Sequence, residues 1–296
     1  MPGAGKTAIN KEDAMVAVPV YAHRSKRDAK SYLASFCWDG DPFCPRCKVS
    51  TVYNLKDGRM RCGGCGYTFH DFSRRWINRV QIPPRYWLKI LDMFARGFNT
   101  REISDDLMVS YNTVFKALNV VRLAVVCLAE DAGKFLDNNN GFVDYCAEHK
   151  KALKSGRKIS CRAPVFGIRH ERNEVVLDLI DDLHGHEAFE LPALKKFWRE
   201  IIYTDACEGY DGLVFSCCKS FRDDTPLPPT EAKVGLDAAE GFWAFARNNL
   251  SVYHCLSPEN FPYYLKEQEF RYRHRDGDLI SALLSALCRF VPNLAH

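Results

Sequence analysis

Two C-x-x-C pairs, Cys44 and Cys47 in CPRC and Cys62 and Cys65 in CGGC, stand fourteen residues apart, and they restrict the fold more tightly than any other feature of the chain. Four thiolates at this spacing converge into a tetrahedron around Zn²⁺, and the intervening VYNLKDGRMR reads as a hairpin turning at Asp57-Gly58. Gly63, Gly64 and Gly66 allow the tight backbone that convergence needs. The competing readings are coincidence and a pair of disulfides. All four tetrahedral positions are filled by protein, so the expected zinc is structural and activates no water. A short helix over DAKSYLASF, with Tyr32, Leu33 and Phe36 buried, precedes the ribbon.

The charge distribution sorts the rest. Residues 1–140 carry 21 Lys and Arg against 14 Asp and Glu, a balance of +7, which leaves −3 for residues 141–296. The front half suits a polyanion and the back half has carboxylates to spare for metal. No apolar run reaches the roughly 18 residues of a membrane span, and the first 30 residues have no apolar signal core. The expectation is a protein inside a cell, with no membrane partner and with its thirteen cysteines as thiols. PGAGKT at Pro2–Thr7 lacks the leading glycine and preceding strand of a phosphate loop.

Beyond the ribbon the chain is basic and aromatic, with Arg74, Arg75, Trp76, Arg79, Arg85 and Trp87, and Arg74 and Arg75 read as DNA contacts. Pro83-Pro84 starts a helix that stops near Gly97, Asn99-Thr100 opens a second, and Ser110 caps a longer third. Short helix, tight turn and long helix is the pattern of a helix-turn-helix, which would offer Tyr111, Asn112, Thr113 and Lys116 to a major groove with Val114, Leu118 and Val121 packed behind. A three-helix bundle with no DNA role has the same periodicity.

The polar run Asp137–Gly141 marks a boundary. After it GFVDYCAEH, CRAPVFGIRHE and NEVVLDLID read as strands, LPALKKFWREI as a helix and IIYTDAC as a strand, an α/β domain with a mixed sheet. Asp144 and Asp205 end predicted strands, although Glu148 competes for the role of Asp144. DAAEGFWAFARNNL, Asp237–Leu250, reads as a helix with Glu240, Trp243 and Arg247 on one face and with Phe242 and Phe245 in a core. Three carboxylates, Asp144, Asp205 and Glu240, can hold two Mg²⁺ or Mn²⁺ for in-line phosphoryl transfer on nucleic acid. His184 and His186 read as a solvated turn, and Cys207, Cys217 and Cys218 as buried thiols. Arg271, Arg273 and Arg275 read equally as a DNA-facing strip or a salt-bridged edge.

AKSYLASFCWDGDPFCPRC with CGGC, IIYTDACEGYDGL, and EGFWAFAR followed by FPYYLKEQEFRYRHR resemble, from about Ala29 to Arg275, the DDE transposases of the zinc-ribbon insertion-sequence group related to Merlin elements. The resemblance implies a multi-domain α/β protein. Its parts would be a flexible N-terminus at 1–27, the ribbon with its short helix at 28–80, a helix-turn-helix at 81–136, an RNase H-like catalytic domain at 141–278 and a C-terminal helix at 279–296. It implies Mg²⁺-dependent cleavage at element ends and joining to target DNA, with Asp144, Asp205 and Glu240 as metal ligands and Arg247 on a phosphate. The chain would act on double-stranded DNA, terminal inverted repeats and target alike, as a homodimer or higher oligomer. Where that family shows roughly HxNxxE before the third acid, this chain has GLDAAE, with Gly235 and Asp237. The alternative is a domesticated DNA-binding protein that keeps the fold and no longer transposes.

Overall fold

The computed structural model describes residues 26–139, 141–144, 164–171, 174–184, 194–198, 201–204, 209–216, 238–250, 253 and 259–292, with the backbone alone at 26–27, 181–184, 194–198, 202–204 and 238–240. The chain divides into two compact units, Met1–Val121 with Ile280–Val291, and Arg122–Leu279 with Pro292–His296.

In the first unit, helix α1 (Lys26–Ala34) buries Leu33, while Tyr32 and Phe36 are half-buried and pack edge to face 5.3 Å apart. Three short antiparallel strands follow, β1 (Val52–Asn54), β2 (Met60–Cys62) and β3 (Thr68–Phe69). The hairpin turns where expected. Gly58 takes φ +78, and the Asp57 carboxylate accepts from the Arg59 amide at 3.0 Å. The ribbon core is only Cys44, Met60, Cys62 and Phe69, with Trp38, Val52 and Tyr67 packed against it. Such a core is too small to hold a fold unaided.

Helix α2 (Pro84–Ala95) buries Trp87, Leu88, Ile90, Leu91, Met93 and Phe94, and it ends in a paired closure at Gly97, φ +84. There the Gly97 amide donates to Phe94 O at 3.0 Å and the Phe98 amide to Met93 O at 3.1 Å, the pattern only a left-handed residue permits. Helix α3 (Thr100–Leu107) opens with a reciprocal cap: Asn99 Oδ1 accepts from the Arg101 and Glu102 amides, and Glu102 accepts from the Asn99 amide at 2.9 Å. A turn through Met108, φ +51, leads to α4 (Tyr111–Val126), with the Thr113 amide donating to Ser110 Oγ at 3.3 Å. Val114, Ala117, Leu118 and Val121 are buried.

In the second unit five strands, β4 (Pro164–Glu171), β5 (Glu174–His184), β6 (Leu194–Trp198), β7 (Ile201–Thr204) and β8 (Gly212–Ser216), form one sheet in the order β5-β4-β8-β7-β6. Every pairing among them is antiparallel, where the sequence suggested a mixed sheet. The expected helix over LPALKKFWREI is instead strand β6, which folds back on β7 with Trp198 opposite Ile201 and Phe197 opposite Ile202. Phe197 and Trp198 are residue types of high strand propensity, and the β-branched residues opposite them, Ile202 and Ile201, belong to β7. Of the first expected strand only 141–144 is described, with a single bridge between Phe142 and Leu136.

Helices α5 (Ala238–Leu250) and α6 (Phe261–Arg273) supply the rest of this core. Phe242, Trp243, Ala246 and Leu250 of α5 meet Phe166, Ile168 and Val214 of the sheet and Phe261, Tyr263 and Leu265 of α6. Helix α7 (Leu279–Leu287) returns to the first unit, with Leu283, Leu284 and Leu287 buried. No helix among the described residues is long and apolar enough to cross a membrane.

Candidate metal centre and catalytic acids

The four cysteines meet. Cys44 Sγ lies 3.6 Å from Cys65 Sγ and Cys47 Sγ 3.4 Å from Cys62 Sγ, and all four sulfurs fall within 4.8 Å of one another. A Zn–S bond of about 2.3 Å sets tetrahedral edges of about 3.8 Å, so the cluster fits a structural zinc. The two knuckles match bond for bond. Lys48 N donates to Cys44 O and Gly66 N to Cys62 O, while Cys44 N donates to Val49 O and Cys62 N to Tyr67 O. The residue after each second cysteine is left-handed, Lys48 at φ +64 and Gly66 at φ +70. Amides also point at sulfur, from Arg46 to Cys44 at 3.4 Å and from Gly64 to Cys62 at 3.3 Å. The Cys65 amide, opposed by burial and aided by Cys47 and the Gly64 amide, lowers the Cys62 thiol to about 6. A β-carbon on Gly63 would sit 3.0 Å from Thr51 and Tyr53, which explains the glycine there.

Among the residues read as DNA contacts, Tyr111, Asn112 and Lys116 are exposed at the start of α4 and Thr113 is half-buried, bonded to Ser110 Oγ at 2.7 Å. Arg74 is exposed. Arg75 is not: it is 3% exposed, lies between Trp38 (4.4 Å) and Phe290 (3.9 Å), and donates to Asp71 O at 2.7 Å and to Cys288 O. Its guanidinium faces inward, out of reach of a phosphate, because the aromatic rings and carbonyls around it replace water.

The carboxylates differ in what can be described. Asp144 is exposed and follows an anchored segment, in which Val143 N donates to Phe135 O at 3.1 Å and Tyr263 Oη of α6 donates to Val143 O at 2.6 Å, with Phe142 stacked on Tyr263. Strand β7 ends at Thr204, one residue before Asp205; Asp205 itself lies outside the described residues. Glu240 is the third residue of α5 and its side chain is likewise not described; Arg247, seven positions on, is half-buried in the last turn. Trp243, expected on the face of Glu240 and Arg247, is buried alongside Phe242. Pro2–Thr7, Glu148, His186, Cys207, Cys217, Cys218, Gly235 and Asp237 also lie outside the described residues, as does the side chain of His184.

Sequence reasoning missed a buried ionic system on α6. Arg122 is fully buried; it pairs with Glu267 at 2.8 Å, lies 3.8 Å over the Tyr264 ring and reaches Tyr253 Oη at 3.4 Å. Arg271 shares Glu267 at 2.7 Å. Burial opposes the Arg122 charge, but Glu267 outweighs it and raises the group further. Burial also raises Glu269, against Lys266 and Arg273, and pushes Tyr253 up to about 12. The one signal of this in the sequence is a lone arginine inside the apolar run VVRLAVV. The arginines left open between a DNA strip and an ionic edge are paired: Arg271 with Glu267, Arg273 with Glu174 at 3.1 Å and with Glu269, and Arg275 with Asp276 at 3.5 Å.

A second set of charges caps the edge of β5 that pairs with no described strand. Leu177 N donates to Glu269 and Leu177 O accepts from Lys266 at 2.5 Å, while Leu179 N donates to Asp131 and Leu179 O accepts from Lys134 at 3.2 Å. Side chains thus occupy the positions of a sixth strand.

Two transposase domain families match the chain. The transposase zinc-ribbon domain matches residues 24–68 and the ISXO2-like transposase domain residues 132–273. A protein in transposable element ISH50 of Halobacterium salinarum, itself uncharacterized, is 25% identical over 104 residues, 33% of this chain and 35% of that protein's length. No solved structure matches the chain significantly. With the ribbon domain, the cysteine cluster and the transposase domain found in order along one sequence, the chain belongs to the zinc-ribbon transposase family with an ISXO2-like transposase domain.

Proposed function

We propose that the chain is a DNA transposase that binds the terminal inverted repeats of its element and performs metal-dependent cleavage and strand transfer. The observation that carries this reading is the transposase-domain match over residues 132–273, which spans Asp144, Asp205 and Glu240. In this reading residues 81–136 act as a helix-turn-helix and residues 141–278 as an RNase H-like catalytic domain. Tyr111, Asn112, Thr113 and Lys116 read base edges while Arg74 contacts backbone phosphate. Asp144, Asp205 and Glu240 would hold Mg²⁺ or Mn²⁺, which supplies activation of the attacking oxygen and charge stabilisation at the leaving 3′-oxygen. Arg247 orients the scissile phosphate by charge-assisted hydrogen bonds. Two element ends must be held together, so the working form is a homodimer or higher assembly on DNA, inside the cell that carries the element. The tethered segment before Asp144 and the helix under Glu240 and Arg247 suit this role, since both are fixed to α6 or to the core.

A second reading, a domesticated DNA-binding protein, is favoured by GLDAAE, where Asp237 adds a carboxylate beside the third acid. A strand-transfer assay separates the two. Zinc-loaded protein is given Mg²⁺ or Mn²⁺, a labelled duplex from the flanks of its gene and a supercoiled plasmid, beside Glu240→Gln and Asp205→Asn. Joined product that disappears in both variants supports the transposase; salt-sensitive binding without cleavage under either metal supports the domesticated protein.

A further inference from the structure

Outside the zinc cluster, the first unit holds a second pair of thiols. Cys37 lies in the turn after α1 and Cys288 follows α7, 251 positions later in the chain. Both sulfurs converge on one acceptor: Cys37 Sγ is 3.6 Å and Cys288 Sγ 3.5 Å from the carbonyl oxygen of Leu33. Cys37 is 6% exposed and Cys288 fully buried, and neither belongs to a C-x-x-C pair. Arg75 lies against them. Its Nη1 donates to Cys288 O, its face is covered by Trp38 and Phe290, and its buried Nη2 has no hydrogen-bond partner among the described residues. A buried cation beside two thiols stabilises a thiolate.

We propose that Cys37 and Cys288 form a redox-active dithiol that closes to a disulfide, a modification site separate from the zinc ligands. The hydrogen bond with Cys288 lowers Cys37, burial opposes it and Arg75 assists, whereas the same hydrogen bond and burial raise Cys288. Cys37 is therefore the attacking sulfur and Cys288 the resolving one. With hydrogen peroxide as oxidant, the Cys37 thiolate attacks one oxygen and the O–O bond breaks. The leaving hydroxide takes up the proton that Cys37 lost, giving water and a sulfenic acid. The Cys288 sulfur then attacks the Cys37 sulfur, the S–O bond breaks, and the Cys288 proton leaves with the hydroxide as a second water. Two thiols lose two electrons and two protons in all, and one peroxide becomes two waters. The product ties the C-terminal segment to the end of α1.

The test uses the full zinc-loaded chain. It is treated with hydrogen peroxide, blocked with N-ethylmaleimide, digested without reductant and mapped by mass spectrometry. The expected result is a cross-linked peptide pair containing Cys37 and Cys288, lighter by two hydrogens, released by dithiothreitol, with zinc retained. In Cys288→Ala the sulfenic acid should persist on Cys37 and be captured by dimedone. Recovery of both cysteines as separate maleimide adducts after peroxide, or pairing of either with a ribbon cysteine, would overturn the proposal. The wild-type map alone decides it if the variant does not fold.

Discussion

The ribbon and the five-stranded sheet solve the same problem, holding charged groups together inside a protein, by opposite means. In the ribbon the thiols stand within three residues of each other in each knuckle, and local amide-to-carbonyl bonds aim them; besides the cysteines, the buried core there is Met60 and Phe69. In the sheet unit the charged groups come from distant segments, Arg122 from one helix and Glu267 from another 145 residues on, and a large apolar core must first bring those segments together. A local site survives on a metal and a few turns. A distributed one depends on the whole unit.

Metal loss is the strongest way to break the comparison. Cys62→Ser should abolish zinc retention and unfold 44–69, because metal binding in small zinc domains contributes on the order of 10–16 kcal/mol. The sheet unit should keep its protection. Zinc analysis with hydrogen exchange reads both, and slow exchange persisting across β1–β3 without zinc would refute the distinction. Next in size, Glu267→Gln should destabilise the sheet unit by about 3–5 kcal/mol, since Arg122 keeps its charge and loses its carboxylate. Denaturant unfolding followed by exchange in Phe261–Arg273 peptides would show it, with the ribbon unchanged.

Gly167→Ala probes packing without charge. A β-carbon there would lie 2.2 Å from the Tyr210 ring, so a cost of about 1–3 kcal/mol is expected. Tyr210→Ala in the same chain should recover part of it; additive losses would mean the two do not touch. The smallest effect is Lys48→Gly, which makes the two knuckles alike. Relief of the left-handed strain is worth about 1 kcal/mol, offset by the Lys48 contact with Phe290 at 4.8 Å, and the midpoint should rise slightly or stay level.

What could be read in advance follows the same division. The cysteine spacing, the Asp57-Gly58 turn, the Asn99 cap and the Gly97 stop are local signals, and all appear at their residues. Helix α5 forms over Ala238–Leu250 as expected, with Trp243 buried beside Phe242 and Phe245 half-buried. Long-range pairing left weaker traces. LKKFW looks helical until β7 lies beside it, and nothing in the sequence of Lys266–Glu269 marks its burial against Leu177 and Arg122. Arg75 misled for the same reason: the rings that cover it come from residues 38 and 290. Asp205 and the carboxylate of Glu240 remain readings of the sequence, since neither is described.

The segment 288–291 has a consequence for how the protein is made. Trp76 N donates to Arg289 O, Val291 N to Arg74 O, and Phe290 packs on Trp38 and Phe43. The ribbon is synthesised before the sheet unit, yet the residues that complete its surroundings emerge after it. On the ribosome the sheet unit has all its described strands and helices before the first unit has its final segment, so a chain stopped anywhere before residue 288 lacks part of the ribbon's wall. Completion of the zinc-bearing unit thereby waits until translation has passed residue 291.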